Sequence, residues 1–198
     1  MAERLSSEPS RPGRASYFGE ALSCFERLGS SFAAFRSRIN LAEACRQQSD
    51  WLPAVAATRQ ALEEQSIHEF TAVVTDLLDG LALIAADLNR YEEAAELMGS
   101  AEGWRAAHEE PTDFCFRALI RTGALKVRRH LTEEDWLAAR TRGYHFSSSQ
   151  AIRRAGAILD QLTTDLHARQ SRLTVREAEV LGLVARGLRN SDIAERLV

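Results

Sequence analysis

Apolar residues recur every three or four positions from about Tyr17 onward, and this period predicts α-helices along almost the whole chain. Runs of β-branched residues are almost absent, whereas Ala, Leu, Arg and Glu are frequent, and these residues lose little side-chain freedom in a helix. The four prolines end at Pro111, so no later residue is obliged to break a helix. We therefore expect an all-α protein.

A register of large and small residues repeats along this helical region. A large residue opens the second helix of a pair, a small alanine three positions later lets the first helix approach, and a larger residue one turn on fills the groove. The copies begin at Phe18, Trp51 and Tyr91, so the spacing is 33 and then 40 residues. The first copy is Phe18, Ala21, Phe25 and Leu28, the second is Trp51, Ala54, Thr58, Ala61 and Leu62, and the third is Tyr91, Ala94, Met98 and Ala101. The second and third copies are each preceded by a similar motif, Leu41-Ala42-x2-Cys45 and Leu81-Ala82-x2-Ala85, respectively.

This register resembles the tetratricopeptide repeat, in which A-x3-F follows L-G-x2-Y, and Ala21-x3-Phe25 matches the last element. The resemblance implies a degenerate, tetratricopeptide-like helical array with elongated repeats. An unrelated antiparallel bundle, with aromatic residues and alanines at the same helical spacing, is the alternative.

The segment after Leu173 reads LTVREAEVLGLVARGLRNSDIAERLV and predicts two short helices. Thr174 and Glu177 have the T-x-x-E spacing of a capping box, and Gly187 suits a helix C-terminus. Either Asn190 or Ser191 caps the second helix. The apolar stripes are Val180, Leu181, Val184 and Leu188 on the first helix and Ile193, Ala194 and Leu197 on the second.

This segment closely resembles the start of the LuxR-type helix-turn-helix domain, LTxREREVLxLVAxGLSNKEIAxxL, at fifteen positions. The matching residues are Leu173, Thr174, Arg176, Glu177, Glu179, Val180, Leu181, Val184, Ala185, Gly187, Leu188, Asn190, Ile193, Ala194 and Leu197. The resemblance implies a transcription regulator whose third helix reads bases in the major groove. The residues expected to contact the DNA backbone are Thr174, Arg176, Arg189, Asn190 and Ser191.

The sequence ends at Val198, before the S-x-x-T-V-K-x-H segment that forms the recognition helix in this family. We therefore expect a regulator truncated within its DNA-binding domain, with the first two helices only and no sequence-specific DNA binding of its own. Both a fragment of a longer regulator and a decayed module within an interaction scaffold fit this expectation. Without their partners, the two helices should expose Val180, Val184, Ile193 and Leu197.

The region before this segment is also similar to LuxR-type regulators. An AARLLGAAE-like helix is matched by Ala95, Leu97, Gly99, Ala101 and Glu102, and a W-x-x-G…S-x-x-A segment by Trp136, Gly143, Ser148, Ala151 and Ile152. The hydroxyl groups of Ser147–Ser149 predict a helix from about Gln150 to His167, and the preceding residues 143–146 predict a loop.

The distribution of charge along the chain bears on whether DNA is a partner. The net charge is −3, but residues 169–198 carry six arginines against four acidic residues, and a basic tail of this kind suits DNA. Ordinary scatter of charge on solvated helices is the alternative.

Cys24, Cys45 and Cys115 lack metal or disulfide spacing, which predicts buried, reduced thiols and a cytoplasmic protein. No apolar run is long enough to cross a membrane.

No catalytic or cofactor motif occurs in the sequence. The chain has a single lysine, Lys126, and no G-x4-G-K-[ST] loop, and its five histidines form neither H-E-x-x-H nor a Cys-His cluster. The acidic runs Glu92-Glu93 and Glu133-Glu134-Asp135 are expected to be solvated helix starts. We therefore expect no enzyme, no cofactor and no metal.

The predicted organisation is a disordered lead at residues 1–16, a tetratricopeptide-like domain at 17–168 and a partial LuxR-type domain at 169–198. The expected partners are DNA when the full helix-turn-helix is present, and a protein, a small-molecule signal or a second copy at the array. The alternative function is a protein-interaction module without a DNA role, using Trp51, Trp104 and Trp136 on an exposed groove. Core packing is the competing role for each tryptophan, above all for Trp51 and Trp136.

Overall fold

Helices account for nearly all of the described chain. The computed structural model describes residues 13–68, 74–108 and 114–170, together with residues 177, 179, 180, 183 and 184. Those residues contain no strand, which confirms the expected all-α class. None of the helices within them combines the length and hydropathy that a membrane-spanning helix needs. The helices are α1 (Arg14–Arg27), α2 (Ser31–Gln47), α3 (Trp51–His68), α4 (Val74–Asp87), α5 (Tyr91–His108), α6 (Phe114–Arg128), α7 (Glu133–Tyr144) and α8 (Ser148–Gln170).

Three turns between helices have the same backbone geometry. Gly29, Ser49 and Asn89 have φ values of 67°, 58° and 65°, in the left-handed region. The N–H of the next residue donates to a carbonyl oxygen five residues back, as Ser30 does to Phe25 at 3.0 Å, and this bond defines a Schellman cap. The following helix begins two residues after the left-handed residue, so α1–α2, α2–α3 and α4–α5 are tight helical hairpins.

The hairpin α2–α3 is repeated by the hairpin α4–α5 at an offset of 40 residues. The left-handed residue Ser49 corresponds to Asn89, and the aromatic residues Trp51 and Tyr91 open α3 and α5 as the sequence register predicts. The small residues of the two copies have no exposed surface: Ala54, Ala61, Ala94 and Ala101. The predicted 40-residue repetition is therefore present in the structure.

The first copy of the register is less regular. Helix α1 begins at Arg14, before the expected start at Tyr17, and none of its residues is buried. The predicted core positions Phe18 and Phe25 are only half-buried, because α1 packs on α2 without a further helix over its other face among the described residues. The first copy of the register therefore contributes less to the core than the copies in α3 and α5 do.

A buried guanidinium group links α1, α2 and α3. The Arg38 side chain, on α2, is 9% exposed and donates to Glu26 of α1 and Glu64 of α3. It also donates to the amide oxygen of Gln60 at 3.2 Å. A charge is tolerated at this depth because several acceptors surround it.

The first turn of α5 carries the acidic pair that the sequence places at a helix start. Glu93 accepts a hydrogen bond from the Arg90 guanidinium group at 2.6 Å, and Glu92 pairs with Arg142 of α7 at 2.6 Å. Burial by itself raises the pKa of Glu93, but the hydrogen bond from Arg90 and the nearby arginine charges hold the net pKa below its ordinary value. The predicted helix start is confirmed, although Glu93 is more buried than a solvated residue.

Helices α5 and α7 approach each other at backbone distance. Gly99 and Gly103 of α5 lie against the backbone of Arg140 and Tyr144, respectively, so that a Cβ on Gly103 would lie 3.0 Å from the Tyr144 carbonyl carbon. Both contacts advance in the same direction along the two helices, and α5 and α7 therefore run parallel. Gly143 of α7 meets the α5 backbone in the same way. Side chains larger than hydrogen would hold the two helices apart.

Side-chain caps begin α7 and α8. Thr132 accepts a hydrogen bond from the Asp135 backbone N–H at 3.1 Å, which confirms the predicted acidic helix start. Ser147 accepts from the Gln150 N–H at 3.4 Å, and the Gln150 side chain accepts from the Ser147 N–H at 2.8 Å, which is a capping box. Since α7 continues to Tyr144, the predicted loop at 143–146 is shifted to residues 145–147, and α8 is longer than the predicted helix at both ends.

The first part of α8 packs along α3 and α5. Arg154 donates to Glu96 of α5 at 2.8 Å, and Asp160 pairs with Arg59 of α3 at 2.8 Å. The apolar residues on this part of the helix are buried: Ala151, Ala155, Ile158, Leu159 and Leu162. The helix that follows the array in sequence therefore folds back over two earlier helices.

The chain divides into two compact units, Met1–Leu162 and Thr163–Val198. In the second unit, the last turns of α8 are helical, as are residues 177, 179, 180, 183 and 184. Val184 is 50% exposed, as expected, whereas Leu183 is buried although the predicted stripe omits it. The helical residue Val180, three residues before Leu183, is half-buried.

The tryptophans and cysteines depart in part from expectation. Trp104 and Trp136 are each 7% exposed, which confirms core packing for Trp136, whereas Trp51 is only half-buried.

Cys45 is buried, and its burial, followed by the charge of a nearby aspartate, raises the pKa of its thiol. Cys24 is exposed, so the prediction of a buried thiol is wrong there, because α1 has no buried face.

Candidate functional site

A pocket of about 400 Å³ opens among α4, α5, α6 and α7, and we call it the α6–α7 pocket. Its volume lies within the range of about 300–1,000 Å³ that is usual for small-molecule sites. An apolar wall and two groups of charged residues line it. The apolar wall is Met98, Ile120, Ala124, Leu125 and Trp136, and the charged residues are Asp79, Glu102, Arg105, Arg121, Arg128 and Arg140.

The pocket exists because α6 and α7 do not close on each other. Glycines hold α7 against α5, whereas α6 packs on α4 and α5 and makes few contacts with α7. Leu125 of α6 is 51% exposed at the side of the gap. Two helices in close contact would normally bury an apolar residue at this position.

A buried ion pair forms the floor of the α6–α7 pocket. Asp79 of α4 is 1% exposed, and its Oδ2 accepts a hydrogen bond from the Arg105 guanidinium group of α5. Its Oδ1 has no hydrogen-bond partner among the described residues. An unsatisfied buried oxygen of a charged group costs on the order of 1–3 kcal/mol or more, and the pairing of Oδ2 with Arg105 offsets part of this cost.

The rim of the pocket is cationic. Arg140 pairs with Glu102 at 2.5 Å, whereas Arg128 pairs at 2.8 Å with Glu133, which lies outside the lining. Arg121 is exposed and makes no ion pair with any residue in the described ranges. Three of the four guanidinium groups that line the pocket are therefore already paired with a carboxylate, and Arg121 has no such partner within the described ranges.

The wall of the pocket includes Trp136, although only 7% of this residue is exposed. The Trp136 ring lines the pocket, and the Arg128 guanidinium carbon lies 6.0 Å from the centroid of that ring. The two residues place a cation beside an aromatic face, at the outer limit of a cation–π contact. An aromatic or aliphatic group can lie along this wall while a charged group reaches the rim.

The DNA-contact residues expected from the LuxR resemblance lie outside the described residues: Thr174, Arg176, Arg189, Asn190 and Ser191. Their positions, and the caps expected at Thr174, Asn190 and Ser191, stay predictions. Within the described ranges, no group of three or more histidine, cysteine, aspartate or glutamate side chains is arranged to hold a metal ion.

Sequence reasoning missed the α6–α7 pocket. Its lining residues come from four helices, and the only lining residue singled out for possible binding was Trp136. One signal was available: Asp79 is an acidic residue inside the otherwise apolar sequence of α4, where a buried carboxylate needs a partner. The helical period shows that Asp79 is buried but not which helix supplies Arg105.

Comparisons with models of protein families, with curated proteins and with solved structures find no match to this chain.

Proposed function

We propose that this chain belongs to a LuxR-type transcription regulator in which the helical array receives a signal and the segment after Leu173 contributes to DNA binding. The observation that carries the proposal is the density of LuxR-like positions between residues 173 and 197, directly after α8. The helical state of residues 177, 179, 180, 183 and 184 is compatible with the first helix of that domain.

The helical array has a repeated surface and an open pocket, which are features that a signal-receiving domain can use. Two hairpins repeat at a 40-residue offset, and the next helices leave the α6–α7 pocket open. Helical arrays bind their partners on surfaces and clefts formed between repeats, with little demand on any one residue. The proposal assigns no catalytic step to the chain.

The test is DNA binding as a function of salt. Fluorescence anisotropy with a labelled duplex is measured for the 198-residue chain and for the same chain continued beyond Val198 with a recognition helix of the S-x-x-T-V-K-x-H type. We expect weak, non-selective binding by the first and tight, sequence-dependent binding by the second. Sequence-selective binding by the 198-residue chain would contradict the expected loss of base readout.

Matched arginine variants locate the contact surface. Arg176→Gln and Arg189→Gln should each reduce the slope of log K against log salt by about 1 in the extended chain. Arg142→Gln is the control, since it removes the same charge from an exposed ion pair on α7. If the extended chain binds no DNA, or if Arg142→Gln has the same effect as the other two, the DNA role is refuted.

A protein-interaction module without a DNA role is the second candidate, and one observation favours it. Tyr17, Leu28 and Phe32, in the α1–α2 hairpin, are 53%, 77% and 48% exposed. Exposed apolar side chains in one hairpin are compatible with a protein contact there. Failure of the extended chain to bind any duplex, together with self-association lost in Leu28→Ser, would favour this candidate.

A further inference from the structure

Helix α1 carries a second apolar stripe in addition to the face that packs on α2. The residues that are half-buried toward α2 are Phe18, Leu22 and Phe25. The second stripe lies about 100° around the helix from the first, at roughly 3.6 residues per turn, and we call it the α1 stripe. Its members are Tyr17, Ala21, Cys24 and Leu28.

The α1 stripe is largely open to solvent. Tyr17 is 53% exposed, Leu28 is 77% exposed, and Cys24 is also exposed. Leu28 follows the last residue of α1, but its N–H still donates to the Cys24 carbonyl oxygen at 3.0 Å, so Leu28 continues the helical register. The stripe is therefore an apolar surface about three turns long that the described residues leave mostly uncovered.

The spacing within the α1 stripe is symmetric, which favours a second copy of the chain as its partner. The intervals between its members are four, three and four residues, so the stripe has the same spacing in both directions. Two such helices can therefore run antiparallel about a two-fold axis. Tyr17 then lies against Leu28 of the partner subunit. The small residues Ala21 and Cys24 meet at the centre, where they allow the two backbones to approach.

The charges beside the α1 stripe are complementary in the same arrangement. Glu20 and Arg27 lie along one edge of the stripe, and both residues are exposed. Within the described ranges, their side chains make hydrogen bonds to Ser16 and to the Cys24 sulfur, respectively, but no ion pair. They are about 10 Å apart along their own helix. A two-fold axis brings this edge of one helix against the same edge of the other, so Glu20 lies within about one turn of Arg27 of the partner subunit.

We propose that a second copy of this chain packs on the α1 stripe, with the two α1 helices antiparallel about a two-fold axis between Ala21 and Cys24. One short helix on another buries less than the roughly 1,600 Å² of a standard interface, so the dimer is weak, with a Kd on the order of 50 µM. The inference gives a partner to the contact named in the second candidate function, and it does not depend on DNA binding.

Sedimentation equilibrium of the 198-residue chain measures the dimer directly, from about tenfold below to about tenfold above the expected Kd. Leu28→Ser should weaken self-association about tenfold or more, because it removes the most exposed member of the stripe. The matched control is Leu137→Ser, which removes a leucine of α7 that is 47% exposed and lies outside the stripe. This control should leave Kd within about twofold.

Charge-swap variants test the antiparallel arrangement. Glu20→Arg and Arg27→Glu, each alone, replace two attractive contacts by two repulsive ones and should weaken self-association about tenfold. An equimolar mixture of these two variants should form a heterodimer at least as tight as the native dimer, because the arginines of one variant then face the glutamates of the other. The control Glu134→Arg reverses an exposed charge in the first turn of α7 and should have no such effect.

Cysteine pairs test the register of the two helices. In a Cys24→Ser/Cys115→Ser background, Tyr17→Cys and Leu28→Cys chains are mixed and oxidised. The two positions face each other in the proposed dimer, where their Cα atoms fall within the roughly 4.4–6.8 Å that a disulfide spans. We expect a crosslinked heterodimer from the mixture. Neither variant alone should crosslink, because its two cysteines would be about 16 Å apart.

Each of these measurements can overturn the proposal. A chain that stays monomeric at about tenfold above the expected Kd leaves the α1 stripe to a different partner. A dimer that Leu28→Ser does not weaken, or a charge-swap mixture that does not associate, places the contact on another surface. Crosslinking of Tyr17→Cys alone would show parallel helices. No measurement uses DNA, so failure of this proposal is distinguishable from failure of the DNA role.

Discussion

The parallel contact between α5 and α7 leads to a direct prediction about Gly143. Replacing Gly143 by alanine places a Cβ 2.8 Å from the Glu96 carbonyl carbon and 3.0 Å from the Ser100 amide nitrogen, and closer still to the Glu96 carbonyl oxygen. Ordinary van der Waals contact begins at 3.4 Å. All three atoms belong to the backbone of α5, so no side-chain rotation can relieve the overlap and the helices must separate.

The expected change in the stability of Gly143→Ala is the sum of two opposing contributions. Alanine is favoured over glycine in a helix by about 1 kcal/mol, which stabilises Gly143→Ala. Overpacking against a rigid neighbour costs up to about 3 kcal/mol, and separation also lengthens the 3.3 Å hydrogen bond from Ser100 Oγ to the Gly143 carbonyl oxygen. The net loss is about 2 kcal/mol, which lowers Tm by about 4–8 °C in a domain of this size.

Differential scanning calorimetry of paired variants provides the measurement. Gly80→Ala is the control, because Gly80 lies within α4 and a Cβ there meets nothing within 4 Å. This variant should gain about 0.5–1 kcal/mol and raise Tm by about 1–4 °C. If Gly143→Ala raises Tm as Gly80→Ala does, then α5 and α7 are not in backbone contact and the account of the α6–α7 gap fails with it.

Three further predictions concern charge and thiol chemistry. Arg38→Ala should lower the free energy of unfolding in urea by about 3 kcal/mol, because it leaves the carboxylates of Glu26 and Glu64 without their buried partner. A loss below about 0.5 kcal/mol would show that the Arg38 guanidinium group is solvated. The depressed pKa of Glu93 contributes stability that is present above its ordinary value of 4.5 and lost as pH falls through the folded value, so Glu93→Gln should destabilise the protein at pH 7 and match it in strong acid. In a Cys115→Ser background, Cys24 should react rapidly with a disulfide reagent and Cys45 slowly, as the raised pKa of its buried thiol requires; equal rates would contradict the burial of Cys45.

The helical hairpins were predictable because their determinants are local. The apolar period, the aromatic residues that open α3 and α5, and the cap residues Thr132 and Ser147 act within one or two turns of their own helix. The burial predictions failed for α1, where no further helix packs on the face away from α2. Helix α1 packs on α2 without a further helix over its other face among the described residues, so Cys24 is exposed and Phe18 is half-buried.

The α6–α7 pocket was not predictable in the same way. Asp79 and Arg105 are 26 residues apart, and Arg121 and Trp136 lie on helices that make few contacts. Helical periodicity shows which face of each helix is apolar, but it does not show which helix that face will meet. The gap depends on how close α7 comes to α5, and that distance is set by Gly99, Gly103 and Gly143 together.

The sequence by itself determined the all-α class and the 40-residue repetition of two hairpins, and it carries the resemblance after Leu173 on which the proposed function rests, since each depends on residue types at short, regular spacings. The tertiary structure alone decided that three glycines bring two helices into backbone contact and leave a third apart. The pocket and its chemistry follow from that packing, because they are made by side chains from four helices that only the folded chain brings together.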